Sequence, residues 1–123
     1  SAGDVIKVGK TVEIEALEAR IGARLPAEYR DFLLTRGPGL FGFADVLASQ
    51  DIVHETRNAA EAHPGLHFIP AVATGTGDFY GFVHTDQAFE TSVSYWDHEM
   101  DVLNPTNYTD FYQLIADVAL RPR

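Results

Sequence analysis

Residues 14–41 read IEALEARIGARLPAEYRDFLLTRGPGLF, and the order of signals in this stretch decides the class of fold. Ile14, Leu17 and Ile21 fall at the three- and four-residue spacing of one buried helical stripe. Thr11 is placed to cap that helix, with Glu13 and Glu15 in its first turn. Gly22 ends it. Leu25-Pro26 opens a second helix with proline at the first helical position, Glu28 in the first turn and Tyr29, Phe32 and Leu33 facing inward. Arg36 closes the last turn, and Gly37-Pro38-Gly39 forbids continuation. The chain therefore opens as a helical hairpin, with residues 1–10 expected as an extended or partly disordered lead-in.

Downstream, Leu40 to Val46 is aromatic and apolar and reads as one short strand. Ser49 or Gln50 to Ala62 reads as a third helix, stopped by His63-Pro64-Gly65. The period then changes from helical to alternating. His67–Ala73, Phe79–Thr85 and Ser92–His98 are β-rich runs bounded by Gly75-Thr76-Gly77-Asp78 and Asp86-Gln87, which predicts an antiparallel meander. Asp101–Leu103 can add a strand, and Asn104-Pro105 a turn. Thr109 is placed to cap a last helix with Phe111, Leu114, Ile115 and Val118 on one stripe. Strands in one block with helices at both ends make an α+β fold: a helical hairpin and a C-terminal helix on a mostly antiparallel sheet of four to six strands.

The 123 residues, 46% hydrophobic and 22% charged, suit one soluble domain over residues 1–123. No apolar run approaches the roughly 18 to 20 residues a membrane helix needs. The absence of cysteine removes disulfides, thiol nucleophiles and thiolate metal sites, and fits a reducing cytoplasm, the expected location. No basic region followed by an apolar one marks a secretion signal. The net charge of −9 is unevenly spread. Residues 1–57 hold seven bases against nine acids, whereas residues 58–120 hold nine acids and neither lysine nor arginine. Such a surface repels nucleic acid and anionic membrane and attracts a basic protein. The plain alternative is solubility alone.

Chemical motifs are scarce. In Tyr95-Trp96-Asp97-His98-Glu99-Met100-Asp101, a continuous strand would put three carboxylates on one face and Trp96, His98 and Met100 on the other. Carboxylates so placed suit a hard cation or a basic side chain, or simply a solvated strand end, and no second ligand set completes a metal shell. His63 and His67 are four apart, but Pro64-Gly65 breaks the helix that would align them. Gly75-Thr76-Gly77-Asp78 leads into a strand, not the helix a phosphate loop needs, and reads as a turn whose aspartate satisfies loop amides. Ser49, Ser92 and Ser94 lack a nucleophile elbow. No catalytic residue, metal or cofactor is expected. Tyr80, Phe82, Tyr95, Trp96, Tyr108 and Tyr112 lie beside carboxylates as the anchors of a protein-binding face do; most are expected in the core, and those left partly exposed are the binding candidates.

The ordered set of features resembles the SUKH superfamily (Smi/Knr family). Glu18, Gly22, Leu25, Pro26, Tyr29, Phe32, Leu33 and Gly37 fall on its opening pattern of glutamate-bearing helix, leucine-proline helix start and glycine stop. FIPAVATGTGDFYGFVHTD is similar to its strand, glycine-aspartate turn and strand. Val93–Glu99 and Tyr108–Ile115 resemble its later strand and closing helix. Two departures stand out: the stop is spread over Gly37-Pro38-Gly39, and Tyr80-Gly81 stands where an aliphatic residue is more typical. The resemblance implies a non-enzymatic bacterial immunity protein that neutralises a cognate polymorphic or contact-delivered toxin, often a nuclease. The expected partner is therefore a basic toxin protein, with no nucleic acid, no membrane, and a monomer favoured. Asp78, Tyr80, Asp86, Glu90, Tyr95, Asp97, Glu99 and Asp101 are the candidate partner-binding residues. A general regulatory interaction module, and a small-ligand binder or weak hydrolase using the sheet's carboxylates, remain the alternatives.

Overall fold

The structure, a computed structural model, describes residues 2–84, 89–90 and 92–121, with the backbone alone for residues 2–9. Helix α1 (Ala2–Ile21) starts nine residues before Thr11, so Thr11 sits inside the helix and caps nothing, and residues 2–10 are helical where an extended lead-in was expected. Ile14 and Leu17 bury one stripe of α1, and a helix nucleated there can propagate backwards at one hydrogen bond per residue. At its other end Gly22 takes φ +82°, and the amides of Gly22 and Ala23 both donate to the Glu18 carbonyl. The Glu18 side chain then reaches forward: Oε2 accepts from the Leu25 amide at 2.8 Å, and Oε1 lies 3.6 Å from Arg30 Nε. One glutamate thus closes α1 and aims α2 (Ala27–Thr35). Pro26 is the residue before that helix's first turn, one place earlier than expected, where its missing N–H costs nothing.

Six strands form one antiparallel sheet in which spatial order equals chain order. The stretch from Leu40 to Val46 is not one strand but a tight hairpin, β1 (Gly39–Phe41) and β2 (Ala44–Val46), with Leu40 opposite Asp45. Its reversal has a long-range cause. Gly42 has φ +60°, a Cβ there would lie 2.2 Å from the Ala119 carbonyl oxygen, and the Phe43 amide donates to that oxygen at 3.0 Å. Helix α3 (Ser49–Ala62) follows as expected, then β3 (Phe68–Ala73), β4 (Phe79–Val83), β5 (Ser94–Asp97) and β6 (Val102–Pro105). Asn104-Pro105 ends the outer strand instead of making a turn. Proline is tolerated there because an edge strand has one side free of ladder bonds.

Helix α4 (Phe111–Ala119) is capped by Asp110, not Thr109: Asp110 Oδ1 accepts from the amides of Tyr112 (2.9 Å) and Gln113 (3.3 Å). Asp110 holds the extended backbone that points a short acceptor at the first turn. The Tyr112 hydroxyl donates to Asp31, and Glu28 accepts from the Phe111 amide, so α2 and α4 are tied side by side.

Directly paired residues share a sheet face, which separates two aromatic layers. Ile69 and Phe82 face α2 and α4, where Phe82, Tyr29, Phe111 and Phe32 pack in that order with successive ring centroids 5.1–5.4 Å apart. Phe68, Phe79 and Trp96 lie on the other face, alongside the C-terminal half of α3. Gly81 belongs to this second layer. A Cβ there would stand 2.1 Å from the Ile69 carbonyl oxygen and 2.8 Å from the Phe68 ring. The departure at Tyr80-Gly81 is therefore what lets Phe68 lie flat across β4 toward Trp96.

Candidate functional site

The turn between β3 and β4 and the turn after β5 meet through one carboxylate. Gly75 (φ +86°) and Gly77 (φ +98°) fold the first turn, which Thr74 closes by donating to the Asp78 carbonyl. The Asp78 side chain does not serve its own loop, as the sequence suggested. It accepts from the Tyr95 hydroxyl, from the His98 amide at 3.0 Å and from His98 Nδ1 at 2.6 Å. The His98 ring lies against Gly77, where a Cβ would come within 2.9 Å of it. Burial pushes the Asp78 carboxyl up, but the Tyr95 hydroxyl and the His98 amide and ring outweigh it and leave the group below its ordinary value. The hydrogen bond to Asp78 holds the His98 imidazole above its ordinary value, and burial beside that carboxylate raises the Tyr95 phenol.

The alternation expected over residues 97–101 stops at Asp97. There Oδ1 accepts from the amides of Glu99 (3.0 Å) and Met100 (3.1 Å), and Asp101 takes φ +55°. The carboxylates consequently diverge instead of sharing a face. Asp97 holds the turn, Glu99 is exposed, and Asp101 Oδ1 turns back to lie 2.7 Å from His63 Nε2 without a directed hydrogen bond. Met100 stands 71% exposed at the tip, with Val102 beside it. Tyr80 is only 7% exposed; its ring packs on Tyr95 and its hydroxyl accepts from Arg121 at 3.1 Å. It is thus a core residue with a polar rim. Glu90 is exposed beyond the end of β4, and Asp86 lies outside the described residues.

Asp78, Asp97 and His98 bring ligand atoms within 4.8 Å of one another. Both Asp78 oxygens and one of Asp97 already accept hydrogen bonds, so a cation would have to displace the contacts that hold the two turns together. His63 and His67 do not converge: His63 packs edge-on to Trp96, while His67 lies against His84.

A feature invisible in the sequence is a cleft of about 290 Å³ between α3 and the second aromatic layer. Phe79 and Trp96 supply aromatic wall, Glu55 and Asn58 enter from α3, and His98 and Asp101 enter from the turn after β5. Glu55 lies more than forty residues before Asp101, and only the packing of α3 on β3 brings them to one cleft.

No helix among the described residues is long and apolar enough to cross a membrane. Among the described residues, the arginine ion pairs, Arg30 with Glu15 and Glu18, stay within the front half, while Asp78 and Asp101 of the second half pair with histidines. The chain finds no match among curated proteins. Residues 5–120 match the family model SUKH_5, described as SMI1-KNR4 cell-wall. With nearly its whole length covered, the chain belongs to the SUKH (SMI1-KNR4) family, whose superfamily includes immunity proteins and whose domains are generally non-catalytic interaction modules.

Proposed function

We propose that this chain is an immunity protein that binds and neutralises a basic toxin, a nuclease, without chemistry of its own. The observation that carries the reading is electrostatic. Residues 58–120 contain nine carboxylates and no lysine or arginine, and the arginine ion pairs among the described residues, Arg30 with Glu15 and Glu18, do not involve them. A surface of that kind steers a cationic partner, raising encounter rates by roughly ten- to a thousandfold at low salt. Family membership supplies the class of partner, and a nuclease supplies the sign of charge, because its phosphate-binding site is basic. Carboxylates seated in that site would block it as substrate mimics.

Glu99 and Asp101 on the turn after β5, and Glu90 beyond the far end of β4, are the proposed steering charges, with Met100 and Val102 as the apolar contact beside the first two. Asp78, Tyr95 and Asp97 shape that edge and are proposed to act through it, and Asp86 belongs to the same proposal. The test is co-expression with the product of the adjacent upstream gene. A complex that co-purifies, protects the host, and associates more slowly as salt rises is the expected result. A complex whose association ignores salt would favour the regulatory-module reading, and no complex with that product would overturn the immunity reading.

A further inference from the structure

Resting on that reading and sharpening it, we propose that the cleft between α3 and the second aromatic layer receives an arginine side chain of the partner protein. Three features of the cleft point to that chemistry. Its wall is aromatic, with Phe79 and Trp96 both half-exposed, and the faces of such rings attract a guanidinium ion. Its polar rim carries carboxylates from two separate elements, Glu55 on α3 and Asp101 after β5, so a cation entering between them meets negative charge from both. Glu55 is half-buried, and among the described residues it makes no hydrogen bond or ion pair. A carboxylate held partly out of water with its acceptors unused is a group in want of a donor.

Size and sign narrow the occupant further. A volume of about 290 Å³ sits at the lower edge of the ~300–1,000 Å³ range of small-molecule sites, which suits one side chain better than a cofactor. An anion is disfavoured by both carboxylates. Arginine fits better than lysine because its planar fork can stack on a ring and reach a carboxylate at once. His98 lines the same cleft, and an imidazolium there would compete with the incoming charge.

Trp96, the one tryptophan in the chain, reports directly on occupancy. The experiment is a fluorescence titration at about pH 7.5 with the capped tripeptide acetyl-Gly-Arg-Gly-amide, repeated with citrulline in place of arginine and with the E55Q/D101N double variant. Asparagine tolerates the left-handed backbone at position 101, so this variant keeps the turn. The expected result is a saturable change in Trp96 emission whose affinity drops about tenfold with citrulline and again in the double variant, the scale of one desolvated cation–aromatic contact. No saturable change, or equal responses to the arginine and citrulline peptides, would overturn the proposal. Failure here and failure of the immunity reading are separable: a salt-sensitive toxin complex undiminished in E55Q alone, which spares the steering charge Asp101, removes the cleft's role and leaves the immunity reading standing.

Discussion

The corner between α1 and α2 and the junction between the β3–β4 turn and β5 solve the same problem with different materials. Each uses one carboxylate to hold a chain reversal next to a left-handed glycine. Glu18 does so with a backbone amide and a permanent cation, Arg30. Asp78 does so within residues 58–120, a stretch without lysine or arginine, and takes a tyrosine hydroxyl, a backbone amide and a histidine instead. Arg121, just beyond that stretch, donates to the Tyr80 and Tyr108 hydroxyls, so Asp78 is held by neutral donors and by a group whose charge depends on pH. The front corner carries no such constraint.

Packing separates the two regions more sharply than polar contacts do. Gly22 and Gly81 are both structural glycines, but a Cβ at Gly22 meets nothing within 4 Å, while at Gly81 it would strike the Ile69 carbonyl and the Phe68 ring. Gly22→Ala should cost about 1 kcal/mol, the strain of its positive φ alone. Gly81→Ala should cost about 3 kcal/mol or more, because backbone has to move. Urea unfolding of the two variants measures the difference, and equal midpoints would show that the second aromatic layer is looser than described.

Next in size is the front carboxylate. Glu18→Gln keeps the shape but weakens a charge-assisted bond to the Leu25 amide and the contact with Arg30, for a loss of about 1–2 kcal/mol. Because a guanidinium keeps its charge throughout, that loss should be much the same at pH 6 as at about pH 9. Equilibrium unfolding at the two pH values checks it.

His98→Gln at the other junction should behave differently, with a smaller and pH-limited effect. The His98 pKa is raised in the folded chain, so its stabilisation is fully present below the ordinary value of 6.5 and is lost as pH rises through the folded value. The Asp78 pKa is lowered, so its part is present above 3.8 and is lost as pH falls through the folded value. Wild type and variant should therefore differ between about pH 4 and 6.5 and converge at alkaline pH. A constant gap up to about pH 9 would mean that His98 acts by packing on Gly77 and not by charge.

The front of the fold was legible because its signals are local. Leu25-Pro26 starts α2, the Tyr29-Phe32-Leu33 stripe faces the core, and Ser49–Ala62 is helical as its sequence suggests. What was missed depends on distant groups. The reversal at Gly42 answers to the Ala119 carbonyl, Tyr80 is buried because Tyr95 and the end of α4 cover it, and the Asp97–Asp101 alternation yields to a turn that Asp97 itself stabilises. Candidate residues on β4 and β5 were identified by type, but their sorting into pins and free charges was not, since a pin is defined by its partner. Glu55 was overlooked for the same reason. On a solvent-facing helix it looks like any glutamate until the sheet is set beside it.

That sorting makes the smallest stability effect the most discriminating. Glu90 and Glu99 are exposed, and among the described residues neither side chain makes a hydrogen bond or an ion pair, so reversing both to lysine should leave unfolding within about 0.5 kcal/mol of wild type. Reversal at Asp78 would instead break three hydrogen bonds, and any change in partner binding would be confounded by damage to the turn. If the cation-free half is a steering surface, E90K/E99K should slow association with a basic partner and flatten its salt dependence while dissociation changes little, because rim charges act on encounter. Stopped-flow association at two ionic strengths reads this directly. A normal on-rate in the double variant would move the docking surface away from both glutamates. A slowed off-rate alone would mean that these glutamates were tolerated at the interface and not used to find it.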